Sequence, residues 1–395
     1  MSSLCRLLRR SFSTTTASAA TTTASASASA TSLKSLSDDL YKERTLRKLV
    51  KKFKKHSESD WFRTQTGIYE DIIRRLAAAK KFRWIEEILE DQKKYDDISD
   101  EGFAVRLIAL YGKSGMFDHA AKLFDELADR KCDRTVKSLN ALLSACVCSK
   151  NYDKVDGFFR DLPGKLSVKP DVVSYNIAIK GFCKMGSFDY AVAMLGEMEK
   201  SGVKPDRITF NTLLKGLFKK GRFSDGERIW ARMEERNVVP DIRSFNAKLF
   251  GLANEGRLSE AVGLFGELGD KGLTPDVFSY NAVITGCCGE ENVEAAKRWY
   301  AELVGRGCAP DTVTFAVLVP FACEKGDLGW AFELCKDIFN LQRLVHESLL
   351  QLVVDGLVKE SKVEEAKKLV QMGKSNVYRK YRLRLPSDVY CLSAS

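Results

Sequence analysis

Histidine and cysteine, the residue types that most often carry out enzyme chemistry, are few or poorly spaced in this sequence. The 395-residue chain has 3 histidines, and its one His-x-Glu motif, His56-Ser57-Glu58, has no paired cysteines to complete a zinc site. It has 11 cysteines, but no two show the Cys-x-x-Cys spacing of a deaminase zinc site. Gly112-Lys113-Ser114 looks like the end of a phosphate-binding loop, yet Leu107 stands where the first glycine of that loop is required. We therefore predict no catalytic residue, no metal site and no cofactor.

Asparagine and aspartate, in contrast, recur at fixed positions. Asp206, Asp241, Asp276 and Asp311 follow one another at intervals of 35 residues, and each comes directly after a proline. An asparagine precedes each of them by 30 residues. A carboxamide offers hydrogen-bond donors and acceptors, whereas a carboxylate offers acceptors only, so such pairs could recognise a polar ligand. The same residue types also cap helices and start turns, so a single one of them would more often be structural.

The elements that would position these residues are helices. In the stretch Val172–Asp206, residues 174–185 are mostly apolar, which predicts a short helix buried on more than one side. Gly186 then interrupts it, because glycine tolerates turn conformations that other residues resist. In residues 188–199 the apolar positions are three and four apart, as in an amphipathic helix, and a Pro-Asp pair then ends the stretch. We predict a helical hairpin.

The same hairpin repeats along most of the chain. The regular copies are 172–206, 207–241, 242–276 and 277–311. A copy with one inserted residue is 136–171, and weaker copies are 66–100, 101–135, 312–346 and 347–381. A fixed period in this range is typical of a solenoid, in which each hairpin buries its apolar face against its neighbours. We therefore predict an all-α fold, an α-solenoid of about nine 35-residue helix-turn-helix repeats over residues 66–381.

This hairpin resembles a known repeat family. With Tyr-Asn early, Gly in the middle and Pro-Asp at the end, it is similar to the pentatricopeptide repeat of plant organellar RNA-binding proteins, in the pure class. Tetratricopeptide repeats have a period of about 34 residues and landmarks that are missing here. The resemblance implies a right-handed α-solenoid in which one repeat faces one RNA base. The short chain resembles, more narrowly, the pentatricopeptide repeat subunits of the plant mitochondrial ribosome.

In the resembled family, the fifth and last residues of each repeat read the edge of a base. The implied base-reading pairs are Asn140 with Asp171, Asn176 with Asp206, Asn211 with Asp241, Asn246 with Asp276, and Asn281 with Asp311. An acceptor-only carboxylate suits uridine, whose ring N–H is a donor, better than cytidine, which has no such N–H. The family likewise assigns an Asn–Asp pair to uridine, with some tolerance of cytidine.

Two further sets of contacts are predicted. The second residue of a repeat packs on base faces in that family, which implies base-stacking roles for Val173, Ile208, Arg243, Phe278 and Val313, while Lys137 departs from the pattern. Predicted phosphate-contacting residues are Lys184, Lys219, Lys51, Lys52, Lys54 and Lys55. For the basic stretch that contains the last four lysines, an N-terminal cap of the solenoid with a solvated face is an equally open and compatible interpretation.

The ends of the chain differ in composition from the repeats. Residues 1–37 contain arginines, a long Ser/Thr/Ala tract and no Asp or Glu, which predicts a transit peptide, to the mitochondrial matrix rather than the chloroplast. Residues 38–65 are predicted to form a basic N-terminal helix and cap, and residues 382–395 a basic C-terminal tail. No run of about 18 apolar residues occurs, so no membrane span is predicted.

These observations together predict an RNA-binding protein that is not an enzyme. The net charge of +10 is compatible with a polyanionic partner. Uniform Asn–Asp pairs would read only a short uridine-rich run, and many other RNAs contain such runs and would compete for binding. We therefore expect a large partner to determine where the protein binds. We predict a component of the small subunit of the mitochondrial ribosome that contacts rRNA and ribosomal proteins and supports translation. Alternatives are a soluble factor that stabilises or processes a uridine-rich organellar transcript, and a protein-binding helical scaffold.

Overall fold

The computed structural model describes residues 38–386, and within this range it contains helices and no β-strand. The all-α prediction is confirmed. The predicted transit peptide, 1–37, and the end of the predicted tail, 387–395, lie outside the described residues. A short helical stretch at 38–42 precedes the first complete helix, and a 3₁₀ helix, Asp96–Ser99, lies between α4 and α5. The α-helices are α1 Leu46–His56, α2 Asp60–Thr64, α3 Thr66–Ala78, α4 Phe82–Gln92, α5 Glu101–Lys113, α6 Phe117–Asp129, α7 Val136–Cys148, α8 Lys154–Leu166, α9 Val172–Met185, α10 Phe188–Lys200, α11 Arg207–Lys219, α12 Phe223–Glu235, α13 Ile242–Asn254, α14 Leu258–Asp270, α15 Val277–Gly289, α16 Val293–Gly305, α17 Thr312–Glu324, α18 Leu328–Asn340, α19 Glu347–Lys359 and α20 Val363–Ser375.

The chain divides into two compact units, one ending at Ser149 and the other beginning at Lys150. The first unit contains α1–α7 and the second contains α8–α20. Within each unit consecutive helices pair into hairpins, such as α5 with α6 and α9 with α10. The first helix of a hairpin also packs on the first helix of the next one, as α5 does on α7 and α13 does on α15. Each unit is therefore a stack of hairpins, as the repeat predicts.

The helices begin where the sequence period places them. In the second unit, the first helices of successive hairpins begin at Val172, Arg207, Ile242, Val277, Thr312 and Glu347. In the first unit they begin at Thr66, Glu101 and Val136. The constant spacing means that every fifth residue of a repeat lies in the second turn of a first helix, and every last residue lies directly before the next first helix. The repeat thus brings its fifth and last positions to one edge of the stack.

Two columns of small residues allow the hairpins to pack. The turn inside the hairpin needs a left-handed residue, and Gly186 and Gly221 provide it with φ of 88° and 70°. The alanine early in the second helix is completely buried at Ala120, Ala191, Ala261, Ala296, Ala331 and Ala366. A third column, not singled out from the sequence, lies in the first helices. A Cβ atom on Gly251 would come within 2.6 Å of the Phe218 ring, so only glycine fits there without a shift.

In residues 38–386 no helix combines the length and the apolar character that crossing a bilayer requires.

Candidate nucleic-acid interface

The aspartate that ends each regular repeat caps the helix that follows it. Asp206 has an extended backbone, and its Oδ1 accepts a hydrogen bond from the backbone N–H of Thr209 at 2.9 Å. The Thr209 hydroxyl accepts one in return from the backbone N–H of Asp206 at 3.1 Å. The same reciprocal cap is formed by Asp171 with Ser174, Asp241 with Ser244, Asp276 with Ser279, and Asp311 with Thr314. One carboxylate oxygen of each aspartate therefore has a structural role.

The asparagine of the preceding repeat joins this cap. Asn176 Nδ2 donates to Asp206 Oδ1 at 3.0 Å, and Asn176 Oδ1 accepts from the Thr209 hydroxyl at 2.6 Å. The two corresponding distances are 2.9 and 2.6 Å at Asn211, 2.9 and 2.6 Å at Asn246, and 3.0 and 2.7 Å at Asn281. We call these four sets the ladder, with the rungs Asn176–Asp206–Thr209, Asn211–Asp241–Ser244, Asn246–Asp276–Ser279 and Asn281–Asp311–Thr314.

The hydroxyl of each rung fixes the orientation of the carboxamide. A hydroxyl has a single proton, and the Thr209 hydroxyl has two acceptors within reach, Asn176 Oδ1 at 2.6 Å and Asp206 Oδ1 at 2.9 Å. The shorter of the two contacts is the one to the carboxamide, and Asp206 Oδ1 already accepts from the Thr209 N–H and from Asn176 Nδ2. The amide NH₂ group then faces the Asp206 carboxylate. In the flipped orientation a carbonyl oxygen would face the carboxylate and the bond from the hydroxyl would be lost. The protein therefore sets the direction of each carboxamide before any ligand binds.

Each rung keeps hydrogen-bonding capacity for a ligand. A carboxamide has two N–H donors and two acceptor sites, and the rung uses one of each. In the described part of the chain, no side chain bonds to the second carboxylate oxygen of Asp206, Asp276 or Asp311, while Arg207 lies 3.9 Å from Asp241 Oδ2. A carboxylate acceptor beside an amide donor complements the uracil edge, where a ring N–H lies beside a carbonyl oxygen.

The predicted base-stacking side chains lie two residues after the capping aspartates. Phe278 is 59% exposed and Val313 is 51% exposed, although both are apolar. Arg243 is also exposed, and Val173 and Ile208 are half-buried. Exposed apolar side chains beside polar rungs are suited to stacking on a base, because every base has an apolar face. In the first unit, Lys137 is exposed at the corresponding position.

The lysines predicted to contact phosphate fall into two groups. Lys184 and Lys219 are exposed in the last turns of α9 and α11, and neither forms an ion pair within residues 38–386. In α1, Lys51 and Lys55 are exposed, because the helix buries Leu49, Val50 and Phe53 on its other side.

Lys52 and Lys54 are different, because acidic neighbours already neutralise them. Lys52 Nζ lies 2.7 Å from Asp39 and 3.2 Å from Glu43, and Lys54 Nζ lies 3.1 Å from Glu87. The hydrogen bond to Asp39 raises the pKa of Lys52. Of the basic helix, Lys51 and Lys55 are therefore the better placed for an external anion.

The other predicted pair is divided between the two units. Asn140 is buried in α7 of the first unit, and Asp171 caps α9 in the second unit. Their joint role in base reading stays a prediction. Sequence reasoning missed the Ser or Thr at the third position of the repeat, which completes each rung. The Asp-x-x-Ser/Thr pattern of a helix cap would have been the signal for it.

Two further observations concern possible metal ligands and the cysteine thiols. Within residues 38–386 no group of His, Cys, Asp or Glu side chains is arranged to hold a metal ion. Burial raises the pKa of the Cys183 and Cys288 thiols to about 12, so both remain protonated and weakly nucleophilic near neutral pH. The polar groups that the repeat surface offers to a ligand are the carboxamides and carboxylates of the ladder.

Comparison with known proteins identifies the repeat. The model of the PPR repeat family matches residues 170–219, 207–254, 240–289 and 275–324, and that of the single PPR repeat matches residues 106–132 and 137–165. Together these matches cover more than half of the chain. The chain belongs to the pentatricopeptide repeat family. The ladder is thus formed by the fifth and last positions of consecutive pentatricopeptide repeats, with the third position added.

Individual relatives are similar over part of their length. Small ribosomal subunit protein mS79 of Arabidopsis thaliana is 50% identical over 210 residues, which are 51% of this chain and 52% of that protein. A mitochondrial pentatricopeptide repeat-containing protein of the same plant is 39% identical over 163 residues, 41% of each chain. The chain therefore spans about half of the curated relatives it matches. The crystal structure of PPR10 from maize shares the fold, with a TM-score of 0.52 and 20% identity over 89% of this chain and 49% of that one.

Proposed function

We propose that this pentatricopeptide repeat protein binds single-stranded or looped RNA through the ladder and is not an enzyme. The observation that carries the proposal is the set of four rungs with identical hydrogen bonding, each holding its carboxamide in one orientation. Such an arrangement reduces the ordering cost of binding, because the reading groups are held in place before the base arrives. The exposed Phe278 and Val313 add surfaces on which bases stack.

We further propose that the protein is a component of the small subunit of the mitochondrial ribosome, where it contacts rRNA and neighbouring ribosomal proteins. Similarity to the small ribosomal subunit protein mS79 and to a mitochondrial family member supports this assignment. The uniformity of the ladder supports it as well. A run of four uridines occurs by chance at roughly one position in 250, so the ladder alone cannot select one transcript among many competing sites. Permanent incorporation into a ribonucleoprotein would supply the binding specificity that the ladder lacks.

A second candidate is a soluble factor that covers a uridine-rich stretch of an organellar transcript. The single observation in its favour is also the uniform ladder, since identical rungs suit a homopolymeric run. The two candidates differ in where the protein resides, and sedimentation can separate them.

The first test is density-gradient sedimentation of a mitochondrial lysate, probed for this protein with and without chelation of magnesium. A ribosomal component is expected to travel with the ribosome and, after chelation, to stay with the small subunit at about one copy per particle. If the protein remains near the top of the gradient under both conditions, the ribosomal assignment is wrong and the soluble factor is the better assignment. If it stays with the large subunit, the subunit assignment alone is wrong.

A second test separates RNA binding from a protein-binding scaffold. A single-stranded RNA that touches Z phosphates should give a log–log dependence of affinity on salt with a slope near −0.7Z. We expect a slope clearly below zero for purified full-length protein and an oligo(U) probe. No measurable binding, or a slope near zero, would favour the protein-binding scaffold.

A further inference from the structure

The last described residues form an extended segment that packs on the final hairpin. Tyr381 and Leu383 are buried, with 2% and 3% of their surfaces exposed, whereas Arg382 and Arg384 are exposed. The Tyr381 N–H donates to the carbonyl of Gly373 at 3.0 Å, which ties the segment to α20. Because side chains of an extended chain alternate between two faces, one face anchors the segment and the other turns its arginines outward.

The backbone of this segment is also bonded to Gln351, the side chain at the fifth position of the last hairpin. Gln351 Nε2 donates to the carbonyl of Arg384 at 2.8 Å, and Gln351 Oε1 accepts from the N–H of Arg384 at 3.0 Å. The second Nε2 proton goes to Asp355 at 2.7 Å. Both N–H donors of Gln351 are thus bonded to the protein, whereas each ladder carboxamide uses only one of its two donors in the rung. The fifth position of the last hairpin therefore has no amide donor left for a base.

Basic side chains collect beside this segment. Lys374, Lys380, Arg382 and Arg384 line a concavity of about 670 Å³, together with Tyr381 and Leu383 and with no carboxylate. None of these four cations forms an ion pair in the described part of the chain. Lys362 and Lys367 of the same hairpin, in contrast, are paired with Glu360 and Glu364, both at 2.8 Å. We call the four cations the terminal basic site.

Two carboxylates also lie near the segment, and both accept hydrogen bonds. Glu347 and Asp355 line a separate concavity with the two arginines. Glu347 Oε2 accepts from the backbone N–H of Arg382 at 3.0 Å, and Asp355 accepts from Gln351. Glu347 thus holds the backbone of the segment, and Asp355 holds Gln351. In residues 38–386 neither carboxylate forms an ion pair with the four cations, which outnumber the two carboxylates, so the terminal basic site keeps a net positive charge for an external anion.

We propose that the terminal basic site binds the phosphate backbone of a polynucleotide without reading its sequence. Four like charges held together without ion-pair partners attract regularly spaced anions, and the binding of a polynucleotide there releases its counterions. The site has no available carboxamide donor, and its aromatic residue, Tyr381, is buried, so it offers neither an oriented amide nor an exposed ring to select a base. That its ligand is RNA rests on the proposed function, whereas its affinity for polyphosphate anions does not.

The test compares two variants of the full chain that lose the same formal charge. The terminal variant carries Lys374→Gln, Lys380→Gln, Arg382→Gln and Arg384→Gln. The control variant carries Lys297→Gln, Lys325→Gln, Lys336→Gln and Lys362→Gln, which remove lysines already paired with carboxylates. Thermal unfolding followed by circular dichroism checks that both variants fold. The probes are an RNA oligonucleotide of mixed sequence and inorganic polyphosphate of similar charge.

For the RNA probe, we expect the slope of log affinity against log salt concentration to be smaller in magnitude by up to about 2.8 in the terminal variant than in the wild type. The control variant should leave this slope unchanged. Between about 50 and 200 mM salt, the wild type would then lose up to about 50-fold more affinity than the terminal variant. The affinity for polyphosphate should fall in the terminal variant alone.

The outcomes separate this inference from the proposed function. If the terminal variant keeps the wild-type slope with RNA and the wild-type affinity for polyphosphate, the terminal site is overturned, whatever the ladder does. If both variants lose affinity equally, the effect is one of net charge and the site is likewise overturned. If the wild type binds polyphosphate through these four residues but does not bind RNA, the anion site stands and the proposed RNA function fails.

Discussion

The ladder and the hairpins at the two ends of the described chain share one backbone plan and use it differently. In the ladder, the fifth and last positions are Asn and Asp, and they bond to each other across consecutive repeats. At the ends the same positions hold Val105 with Thr135, Ala316 with His346, and Gln351 with Tyr381. The first helices nevertheless begin every 35 residues within each unit. The fold therefore depends on the period and the buried small residues, while the site depends on a few polar identities that the fold does not require.

The end hairpins also show how a repeat forms its helix caps without the ladder. In the first unit, Glu101 Oε1 accepts from the backbone N–H of Thr135 at 2.7 Å and from the Ser138 hydroxyl at 2.7 Å. A carboxylate from the preceding repeat thus serves the start of α7 in place of a capping aspartate. Glu70, at a fifth position, is paired with Lys113 at 2.9 Å. These polar groups are engaged within the protein, and none presents a carboxamide to a base.

The largest expected effect comes from changing the carboxylates of all four rungs while keeping the helix caps. Asparagine caps helices about as well as aspartate, so Asp206→Asn, Asp241→Asn, Asp276→Asn and Asp311→Asn should fold. Each rung would lose its acceptor-only oxygen, a contact worth about 1–3 kcal/mol when well formed. We expect the preference for oligo(U) over oligo(C), measured by fluorescence anisotropy, to fall by at least about tenfold.

The control for this variant uses capping aspartates outside the ladder. Asp100 caps α5 and Asp327 caps α18, and each accepts from a backbone N–H. The double variant Asp100→Asn and Asp327→Asn should leave the base preference unchanged. A ladder variant that folds and keeps the wild-type preference would show that the carboxylates serve only as caps.

A smaller effect is expected from building a fifth rung in the repeat that follows the ladder. Ala316→Asn, His346→Asp and Leu349→Ser would place the three residue types of a rung at the fifth, last and third positions there. The affinity for an oligo(U) probe one nucleotide longer than the ladder requires should rise by about 1–3 kcal/mol. Ala316→Asn alone, without a carboxylate partner, is the matched control and should change little. If the triple variant gains no more than this control, position in the repeat is not sufficient to make a reading site.

The sequence predicted the parts of this molecule that repeat and missed the parts that depend on distant partners. The period located the start of every first helix from Thr66 to Glu347, because apolar spacing, Gly turns and Pro-Asp ends are local signals. The bond from Asn176 to Asp206 joins residues 30 positions apart, and the identity of the pair was visible only as a recurrence. The role of Thr209 in orienting the carboxamide needed the atomic positions.

Two features near the ends of the described chain were not predicted from the sequence, also because they depend on distant partners. The neutralisation of Lys54 by Glu87 joins positions 33 residues apart, and no local pattern indicates it. The extended segment after α20 shows alternating apolar and basic residues from Tyr381 to Leu385, a period-two signal that could have indicated its burial. What it packs against could not be predicted, because that depends on how the last hairpin is completed.

A still smaller effect is expected from the hydroxyls of the ladder. Thr209→Val and Thr314→Val keep the shape of two completely buried side chains but remove the bonds to Asn176 and Asn281. We expect a loss of about 1 kcal/mol of unfolding free energy per substitution, measured in urea, and a reduced preference for oligo(U) because the carboxamides are no longer held. Thr212→Val is the control, since its hydroxyl bonds only to the carbonyl of Ile208. A purely structural role for the ladder hydroxyls would lower stability and leave the base preference as it is.

The smallest effect concerns the second helices, where charges rather than carboxamides join consecutive hairpins. Glu199 in α10 lies 2.6 Å from Arg232 and 2.9 Å from Arg236. Burial acts to raise the pKa of Glu199, but the hydrogen bonds from these arginines outweigh it and lower the pKa. A carboxylate whose pKa is lowered by folding stabilises the protein above its unfolded pKa of about 4.3, and this contribution is lost as the pH falls through the folded pKa. Glu199→Gln should therefore cost less than about 1 kcal/mol at neutral pH, with the difference from wild type in urea unfolding shrinking as the pH is lowered towards about 3. A difference that stays constant with pH would mean that packing of the side chain, and not its charge, joins these two hairpins.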